Sequence, residues 1–288
     1  MRRKLSLLLI ISISAIMFLV GCGPKETTAN VPETPAVKES EDKETFTIGL
    51  EAGYAPFNWT QMDDSNGGVK LDGTAEYAGG YDVEIAKRIA EGLGKELVVV
   101  KTEWDGLVPA LISGKIDAIM AGMSPTPERL ETIDFSDIYY SSNLVMVVKK
   151  GGAYENATSI QDFNGAKITG QLNTSHYTVI DQINGVKKEP AFDNFTAMRV
   201  ALEAGMIDGY VSERPEGISA SSANDNFVML EFEEGKNFDA SLADSAVAVG
   251  LQKNSELTSK INEILGLISE EDRLEIMDNA VLNQPSAN

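Results

Sequence analysis

The segment GMSPTPERLETIDFS, residues 122–136, places an arginine at the start of a predicted helix. Thr-Pro-Glu at 126–128 is typical of a helix N-cap, a first helical residue and a first-turn acid, so Arg129 belongs to the first turn. The helix dipole favours an anion at that end and disfavours a cation. Arg129 therefore either forms a surface ion pair with a nearby acid or binds an anion together with Ser124 and the loop amides. The nearby acids are Glu128, Glu131 and Asp134.

A polar residue also ends a second unit of similar construction. ALISGKIDAIMAG, 110–122, aligns with ALEAGMIDGYVSE, 201–213, and each reads as a helix, a glycine cap, Ile-Asp and a strand. The common requirements of those elements explain the match as well as duplication does. Ligands of open α/β sheets bind beyond the carboxyl ends of the strands. Ser124 beyond one strand and Glu213 at the end of the other therefore predict a site between two lobes.

The residue types at these positions suit a zwitterion. A guanidinium binds a carboxylate with two parallel hydrogen bonds, and a carboxylate accepts hydrogen bonds from an ammonium group. Arg129 would hold the α-carboxylate of an amino acid, and Glu213 would hold its α-amino group.

Strand-like and helical segments alternate through the globular part of the chain. In the helix YDVEIAKRIAEGL, residues 81–93, apolar side chains share one face, and Gly94 is a predicted C-cap. Such alternation predicts α/β domains with mostly parallel sheets. The predicted strands are TFTIGL (45–50), ELVVVKT (96–102), KIDAIMAG (115–122), AKITGQ (166–171) and MIDGYVSE (206–213), and the further helices are DGLVPALISG (105–114), HYTVIDQI (176–183) and FTAMRVALEAG (195–205).

The N-terminus has the pattern of a bacterial lipoprotein signal. A basic start, MRRK, precedes an apolar run from Leu5 to Val20 that is short for a membrane span and suits a signal peptide. LVGC ends this run, and Cys22 is the one cysteine of the chain, so it has no internal disulfide partner. We therefore expect a signal peptide over 1–21 and a lipid on Cys22, with palmitate among its acyl chains. Two acyl chains suffice for stable anchoring at the extracytoplasmic face of the cell membrane.

Composition limits the remaining possibilities. Residues 22–44 lack aromatic side chains and are rich in Pro, Thr, Glu and Lys, which is typical of a disordered tether. The globular part runs from about residue 45 to 282, a length that suggests two modest domains. The formal net charge is −20, and loss of the basic signal peptide would make it more negative. Nucleic-acid binding needs basic patches, so we expect no nucleic-acid partner.

Two motifs connect the chain with a known family. GYDVEIAKRIAEGL, residues 80–93, follows a signature of glycine, aromatic, acid, aliphatic, acid and aliphatic residues before a helical tail. GMSPTPERLETIDFSDIYY, residues 122–140, is similar to the family's ligand loop and the segment leading into its hinge. From about Phe46 to Met277 the chain thus resembles the bacterial extracellular solute-binding proteins of polar amino-acid ABC transporters. The resemblance implies the α/β, two-lobed type II periplasmic-binding-protein fold, with a mostly parallel sheet flanked by helices in each lobe and two crossing hinge strands.

The resemblance also implies roles for individual residues of the first lobe. Tyr54 and Trp104 match aromatic residues that stack on either side of the ligand in relatives. The ligand α-carboxylate would be bound by the Gly122 backbone, Ser124 and Arg129.

In the second lobe, the loop TGQLNTSH adds amide and hydroxyl donors in relatives. Gln171, Thr174 and Ser175 match these donors, and Glu213 matches the acid that binds the α-amino group. Relatives usually have aspartate in place of Glu213 and glycine in place of Asn173. Asparagine tolerates left-handed backbone, so the loop is expected to keep its shape. The longer glutamate predicts a shifted ammonium position or a wider cleft.

Glu51, after the first predicted strand, is relevant to the identity of the ligand's side chain. In relatives the matching acid lies near the distal part of the ligand, often where a cationic side chain ends. Glutamine binders can carry an acid there too, and Glu51 could also be a solvated surface residue. A cationic ligand (lysine, arginine or ornithine) is therefore favoured over glutamine or cystine, but the sequence leaves the choice open.

The resemblance predicts how the chain is divided and used. Lobe 1 would comprise residues 45–142 plus 246–288 and lobe 2 residues 143–245, with crossings near Ser142–Asn143 and Asp244–Ser245. We expect a monomer that captures a polar amino acid by hinge closure and delivers it to an ABC permease. No cofactor and no metal ion is expected.

Two other classes of protein, an enzyme and a sensor, are alternatives to a transport protein. An enzyme on the same fold has little support, because His176 is the one histidine, no G-x-S-x-G occurs and no His/Cys cluster could hold zinc. His176 is interpreted as a residue at the cleft edge or a cap. A sensor would need a membrane-spanning helix, and no apolar stretch after the signal reaches about eighteen residues. A sensor that acts through a membrane partner stays open.

Overall fold

A computed structural model gives the structure of residues 44–285. The predicted signal peptide, Cys22 and the predicted tether up to residue 43 lie outside the described residues. In chain order the strands are β1 (Thr45–Leu50), β2 (Gly53–Tyr54), β3 (Asn58–Gln61), β4 (Val69–Lys70), β5 (Tyr77–Gly79), β6 (Glu96–Lys101), β7 (Ala118–Ile119), β8 (Asp134–Ser141), β9 (Leu144–Lys149), β10 (Lys167–Thr169), β11 (Lys187–Lys188), β12 (Gly209–Glu213), β13 (Phe227–Leu230) and β14 (Ala246–Leu251). The α-helices are α1 (Tyr81–Leu93), α2 (Trp104–Ile112), α3 (Pro127–Thr132), α4 (Ser175–Thr178), α5 (Phe195–Glu203), α6 (Arg214–Ala223), α7 (Leu242–Ser245), α8 (Leu257–Gly266) and α9 (Glu270–Asn283).

Two five-stranded sheets define two lobes. In lobe 1 the strand order is β6-β1-β7-β14-β8, with β1 parallel to β6 and β7 and with β14 antiparallel to its neighbours. In lobe 2 the order is β11-β10-β12-β9-β13, with β10 parallel to β11 and β12 and with β9 antiparallel to its neighbours. Each sheet is thus mostly parallel with one reversed strand. The reversed strand is in each case the one that follows a passage of the chain from the other lobe.

The two passages between the lobes differ in form. The chain leaves β8 at Ser141 and enters β9 at Leu144, so the first predicted crossing falls in this two-residue gap. The second predicted crossing, near Asp244 and Ser245, is a helical turn, because α7 directly precedes β14. Ser241 caps that turn in a capping box with Asp244, which explains why this stretch is helical and not extended.

The two units with similar sequences have the same contacts in both lobes. After α2, Gly114 has φ +73° and the amide of Lys115 donates to Ala110; after α5, Gly205 has φ +70° and the amide of Met206 donates to Ala201. The aspartate of each Ile-Asp pair then accepts from a strand amide, Asp117 from Thr47 and Asp208 from Lys167, each at 2.8 Å. These bonds align β7 beside β1 and β12 beside β10. The carboxyl ends of β7 and β12 are thus placed in the same way.

Helix α1 has the buried apolar face and the glycine C-cap that its sequence predicts. Val83, Ile85, Ala86, Ile89 and Ala90 are buried on the face toward the sheet. Gly94 ends the helix in left-handed conformation (φ +69°), and its amide donates to the carbonyl groups of Ala90 and Glu91. At the other end, Gly80 has φ +121°, and a Cβ there would collide with the backbone of Phe57. The small sheet β2-β3-β5-β4 inserted between β1 and α1 therefore packs directly against the start of this helix.

Several predicted elements are shorter than expected; for example, AKITGQ contributes three residues to β10 and MIDGYVSE five to β12. Of KIDAIMAG, two residues, Ala118 and Ile119, belong to β7. HYTVIDQI divides into α4 and a 3₁₀ turn at Val179–Gln182. The β-branched run Thr178, Val179 and Ile180 restricts side-chain rotamers in an α-helix, which explains the division. Within residues 44–285 no helix has the length and apolar character that a membrane crossing requires.

Candidate functional site

Arg129 lies on the helix start that the sequence predicts. Thr126 is the N-cap of α3, its hydroxyl accepts from the Arg129 amide at 3.4 Å, and proline occupies the first helical position. The guanidinium donates from Nη1 to the Ser124 carbonyl at 2.8 Å and from Nη2 to the Asn173 carbonyl of lobe 2 at 2.9 Å. Its Cζ atom lies 5.0 Å from the centroid of the Trp104 ring. Two backbone carbonyls and one aromatic face therefore hold the guanidinium between the lobes.

The surface ion pair that the sequence left open for Arg129 is not formed. None of the ion pairs within residues 44–285 includes Arg129, and Asp134 pairs instead with Lys253 at 2.9 Å. Burial lowers the pKa of Arg129 to about 10, opposed by the charge of Glu128. The group therefore remains a cation at neutral pH, and no carboxylate of the described chain lies in ion-pair contact with it.

Glu213 ends β12 and is 1 % exposed. Its Oε1 atom accepts from the Tyr54 hydroxyl at 3.0 Å, and its Oε2 atom accepts from the Ser142 hydroxyl at 3.2 Å. Nε2 of His176 lies 3.3 Å from Oε1. Because Tyr54 belongs to lobe 1 and Ser142 to the passage between lobes, the carboxylate of lobe 2 faces the interface between the lobes.

Tyr54 links the two lobes through its ring as well as its hydroxyl. The ring stacks on Phe195 of lobe 2 with centroids 4.4 Å apart and packs against Phe57 at 4.9 Å. Burial and the nearby Glu213 raise the pKa of Tyr54 well above its usual range, so the hydroxyl is a permanent donor. Phe57 is fully buried in the core.

Gly122 and a buried acid shape the loop before Arg129. Gly122 has φ +63°, and a Cβ there would lie 2.5 Å from Cε1 of Tyr54. Behind it, Asp82 is fully buried and accepts from the Tyr139 hydroxyl at 2.6 Å and from Asn58 Nδ2 at 2.9 Å. Burial raises the pKa of Asp82 to about 7, against the lowering effect of these bonds and of one from the Gly122 amide. A ligand carboxylate bound by that amide would have to share it with Asp82.

Glu51 and Gln171 form a second contact between the lobes. Gln171 Nε2 donates to the two oxygens of Glu51, at 3.1 Å and 3.2 Å, and to the Asp193 carbonyl at 3.1 Å. Burial raises the pKa of Glu51 to about 7; the Gln171 bond lowers it, and the charges of Glu103 and Asp105 raise it further. The reading of Glu51 as a solvated surface acid is therefore wrong, since the residue is 8 % exposed.

The remaining predicted residues line one groove between the lobes. A cavity of about 840 Å³ is lined by Trp104, Arg129, Asn173, Thr174, Ser175 and Asp244, among others. The Asp244 carbonyl accepts from the hydroxyls of Ser124 (3.3 Å) and Ser175 (2.8 Å), while the Thr174 hydroxyl donates to the Gln171 carbonyl at 2.7 Å. The predicted residues thus lie at three places between the lobes: in or beside this groove, at the Tyr54–Glu213 contact and at the Glu51–Gln171 contact.

The structure also brings in residues that the sequence analysis did not assign to the site. The Asn173 carbonyl accepts from Arg129, and its Nδ2 donates to Asp105 at 2.9 Å. Its φ of +57° is the left-handed conformation expected at this position. Phe195 supplies the aromatic face for Tyr54. The start of FTAMRVALEAG signalled a buried helix, but nothing in it indicated a partner in the other lobe.

Comparison with known proteins identifies the family of the chain. Residues 46–280 match the model of the bacterial extracellular solute-binding proteins, family 3. The arginine-binding extracellular protein ArtP of Bacillus subtilis is 26 % identical over 272 residues, covering 93 % of this chain and 94 % of that protein. A probable histidine-binding protein of Campylobacter jejuni is 33 % identical over 232 residues, covering 77 % and 82 %.

A solved structure supports the same conclusion at the level of the fold. The Gly52Ala mutant of arginine-bound ArgBP from T. maritima superposes with a TM-score of 0.64 at 28 % identity, covering 78 % of this chain and 96 % of that one. The family match spans both lobes and includes each residue of the site described above. The chain therefore belongs to the bacterial extracellular solute-binding proteins, family 3.

Proposed function

We propose that this protein captures a free amino acid between its lobes and presents it to the permease of an ABC transporter. The observation that carries the proposal is the opposition of two charged groups, the Arg129 cation of lobe 1 and the Glu213 carboxylate of lobe 2, both turned toward the interface. A zwitterion needs such a pair, because its carboxylate and its ammonium lose water together on entering a closed site. The relatives of this chain include an arginine-binding protein and a probable histidine-binding protein, which supports this function.

Closure about the two passages would complete the site. With lobe 1 as residues 45–142 plus 246–288 and lobe 2 as 143–245, the contacts Tyr54–Glu213, Gln171–Glu51 and Arg129–Asn173 each join one lobe to the other. A ligand that adds its own contacts to both lobes binds the closed form better than the open form and so shifts the population toward closure. The closed form would be the one that the permease recognises.

The side chain of the ligand is proposed to be cationic, with arginine as the first candidate. Glu51 is buried at the interface, and the acids Glu103 and Asp105 add negative potential around it. A guanidinium or ammonium near Glu51 would favour the ionised form of Glu51 and so offset the effect of burial, which raises its pKa. Glutamine is the alternative, because a protonated Glu51 can donate a hydrogen bond to an amide.

A binding screen tests the proposal directly. Thermal shift followed by calorimetry against the twenty amino acids, ornithine and cystine is expected to select L-arginine, lysine or ornithine at about pH 8, where Glu51 is ionised. Stabilisation by none of these compounds would overturn amino-acid capture. Selection of aspartate or glutamate would overturn the role assigned to Glu51 while leaving capture intact.

Replacement of Glu51 by glutamine is expected to lower L-arginine affinity by about tenfold or more, because a charge-assisted bond contributes about 1.5–3 kcal/mol. Below its pKa of about 7 Glu51 is neutral and above it is an anion. Wild-type affinity for L-arginine should therefore rise as the pH increases through neutrality, and the Glu51→Gln variant should lose this part of the rise. Calorimetry across pH measures both effects.

L-citrulline, the uncharged analogue of arginine, provides the matched ligand, and Glu103→Gln provides the matched variant. Glu103 is exposed and acts on Glu51 at a distance, so its loss should change L-arginine affinity much less. Equal losses for L-arginine and L-citrulline in the Glu51→Gln variant would mean that Glu51 shapes the cleft without sensing the ligand's charge.

The membrane location is proposed from Cys22. Mass spectrometry of the mature protein is expected to find Cys22 as the N-terminal residue, carrying a thioether-linked diacylglycerol. The Cys22→Ser protein should appear in the soluble fraction, because it lacks the two acyl chains that anchoring needs. A Cys22→Ser protein that remains in the membrane fraction would contradict lipid anchoring at this residue.

We also propose that the protein is not an enzyme and is not a sensor. L-arginine recovered chemically intact after incubation with the protein would agree with binding alone. Deletion of the gene is expected to abolish uptake of labelled L-arginine, whereas deletion of a sensor that acts through a membrane partner would leave uptake of the ligand in place. Within residues 44–285 no group of three or more His, Cys, Asp or Glu side chains is placed to hold a metal ion.

A further inference from the structure

His176 is buried at the amine-binding end of the site without a hydrogen bond. The residue is 5 % exposed, its ring meets Phe195 edge to face at 5.7 Å, and Nε2 lies 3.3 Å from Oε1 of Glu213. Neither Nδ1 nor Nε2 has a hydrogen-bond partner among the described residues, since the approach to Glu213 is close but not aligned. Buried polar atoms are nearly always hydrogen-bonded in folded proteins, so this imidazole lacks a partner that the site should supply.

The surroundings of Glu213 indicate what that partner is. Its two oxygens already accept from Tyr54 and Ser142. An α-ammonium group has three N–H donors and needs several acceptors when it is buried. A neutral imidazole offers one nitrogen lone pair as an acceptor, and His176 presents its ring beside the carboxylate proposed to bind that ammonium.

We infer that the neutral imidazole of His176 is a second acceptor for the ligand's α-ammonium, beside Glu213. This inference rests on the proposed function and names an additional ligand-binding residue of the same site. The first-turn position of His176 in α4 had suggested a cap or a cleft-edge residue. A capping role would need a hydrogen bond to backbone groups, and neither ring nitrogen makes one.

Two probe ligands and two variants test the inference. The probes are L-arginine and 5-guanidinopentanoate, which is L-arginine without its α-amino group. His176→Leu is expected to weaken L-arginine binding at pH 8 by about tenfold or more, and to change binding of 5-guanidinopentanoate by less than about twofold. His176→Gln keeps an acceptor that cannot be protonated, so it should retain L-arginine affinity within about threefold at pH 8.

A further variant keeps the inference testable if His176→Leu fails to fold. His176→Phe keeps an aromatic ring against Phe195 but has no hydrogen-bond acceptor. It is expected to weaken binding of L-arginine by about tenfold or more and to change binding of 5-guanidinopentanoate by less than about twofold.

Three results would overturn the inference. His176→Leu weakening both ligands equally would indicate a purely structural role. Wild-type affinity in His176→Leu would mean that the ring does not contact the ammonium. A wild-type protein that binds none of the amino acids in the screen would overturn amino-acid capture, and this inference with it.

Discussion

The Glu213→Gln protein is expected to bind a free amino acid about thirtyfold to several-thousandfold more weakly than the wild type, because loss of one member of a buried charge pair costs about 2–5 kcal/mol. The other member of the proposed pair is the ligand's ammonium. Glu213 is 1 % exposed, so water cannot take the place of the lost carboxylate. The glutamine keeps one oxygen that accepts from Tyr54, and its NH2 group can donate to the Ser142 hydroxyl, which accepts as well as donates. The loss should therefore affect binding and not folding.

Calorimetry with the ligand selected in the screen measures this loss, and thermal unfolding checks that the fold is retained. Glu213→Asp keeps the charge with one methylene fewer, so it should lose less affinity than Glu213→Gln. Glu233→Gln removes an exposed carboxylate of lobe 2 that pairs with Lys236, and it should bind as the wild type does. Wild-type affinity in Glu213→Gln would contradict the ammonium-binding role.

Local features of the fold followed from the sequence because neighbouring residues determine them. The N-cap Thr126, the left-handed cap Gly94 and the buried face of α1 each depend on residues within a few positions. The fold class was also predictable, since alternating strands and helices with two similar units leave few arrangements. Family membership rested on motifs in the right order, and the match over residues 46–280 confirms it.

Contacts between the lobes could not be predicted from local patterns. Arg129 donates to the carbonyl of Asn173, and any residue could supply a backbone carbonyl at that position. The stacking of Tyr54 on Phe195 joins residues 141 positions apart. The sequence predicts that Tyr54 stacks on the ligand, and it gives no sign of Phe195 as a partner. The length of β7 likewise depends on the strands with which it pairs after folding, β1 and β14. The positions of the predicted site residues were thus more accessible to sequence analysis than the partners of their side chains.

Two buried acids show why such partners matter. Asp82 and Glu51 both have a pKa raised to about 7, in each case chiefly by burial. Asp82 is surrounded by donors of its own lobe, whereas Glu51 meets a donor of the other lobe. An open cleft would return Glu51 to water and leave Asp82 buried. The ionisation of Glu51 is therefore expected to be coupled to closure, and that of Asp82 is not.

The Arg129→Ala protein is expected to lose at least about tenfold in affinity and as much as several-thousandfold, because it leaves the ligand's α-carboxylate without a countercharge in a buried site. Within lobe 1, the 2.8 Å hydrogen bond to the Ser124 carbonyl and the Trp104 ring hold the guanidinium in place before the ligand arrives. Its pKa of about 10 keeps it charged at neutral pH. Arg129→Lys retains the charge but not the planar fork, so an intermediate loss is expected.

Agmatine, which is L-arginine without its carboxylate, separates binding of the carboxylate from general damage to the cleft. Its affinity should be low in the wild type and nearly unchanged by Arg129→Ala, while that of L-arginine falls. Arg88→Ala, which removes an exposed arginine from α1, should leave both affinities unchanged. Arg129 also bridges the lobes through Asn173, so the alanine variant could weaken closure itself. Equal losses for agmatine and L-arginine would show that this bridge, and not contact with the carboxylate, is the contribution of Arg129.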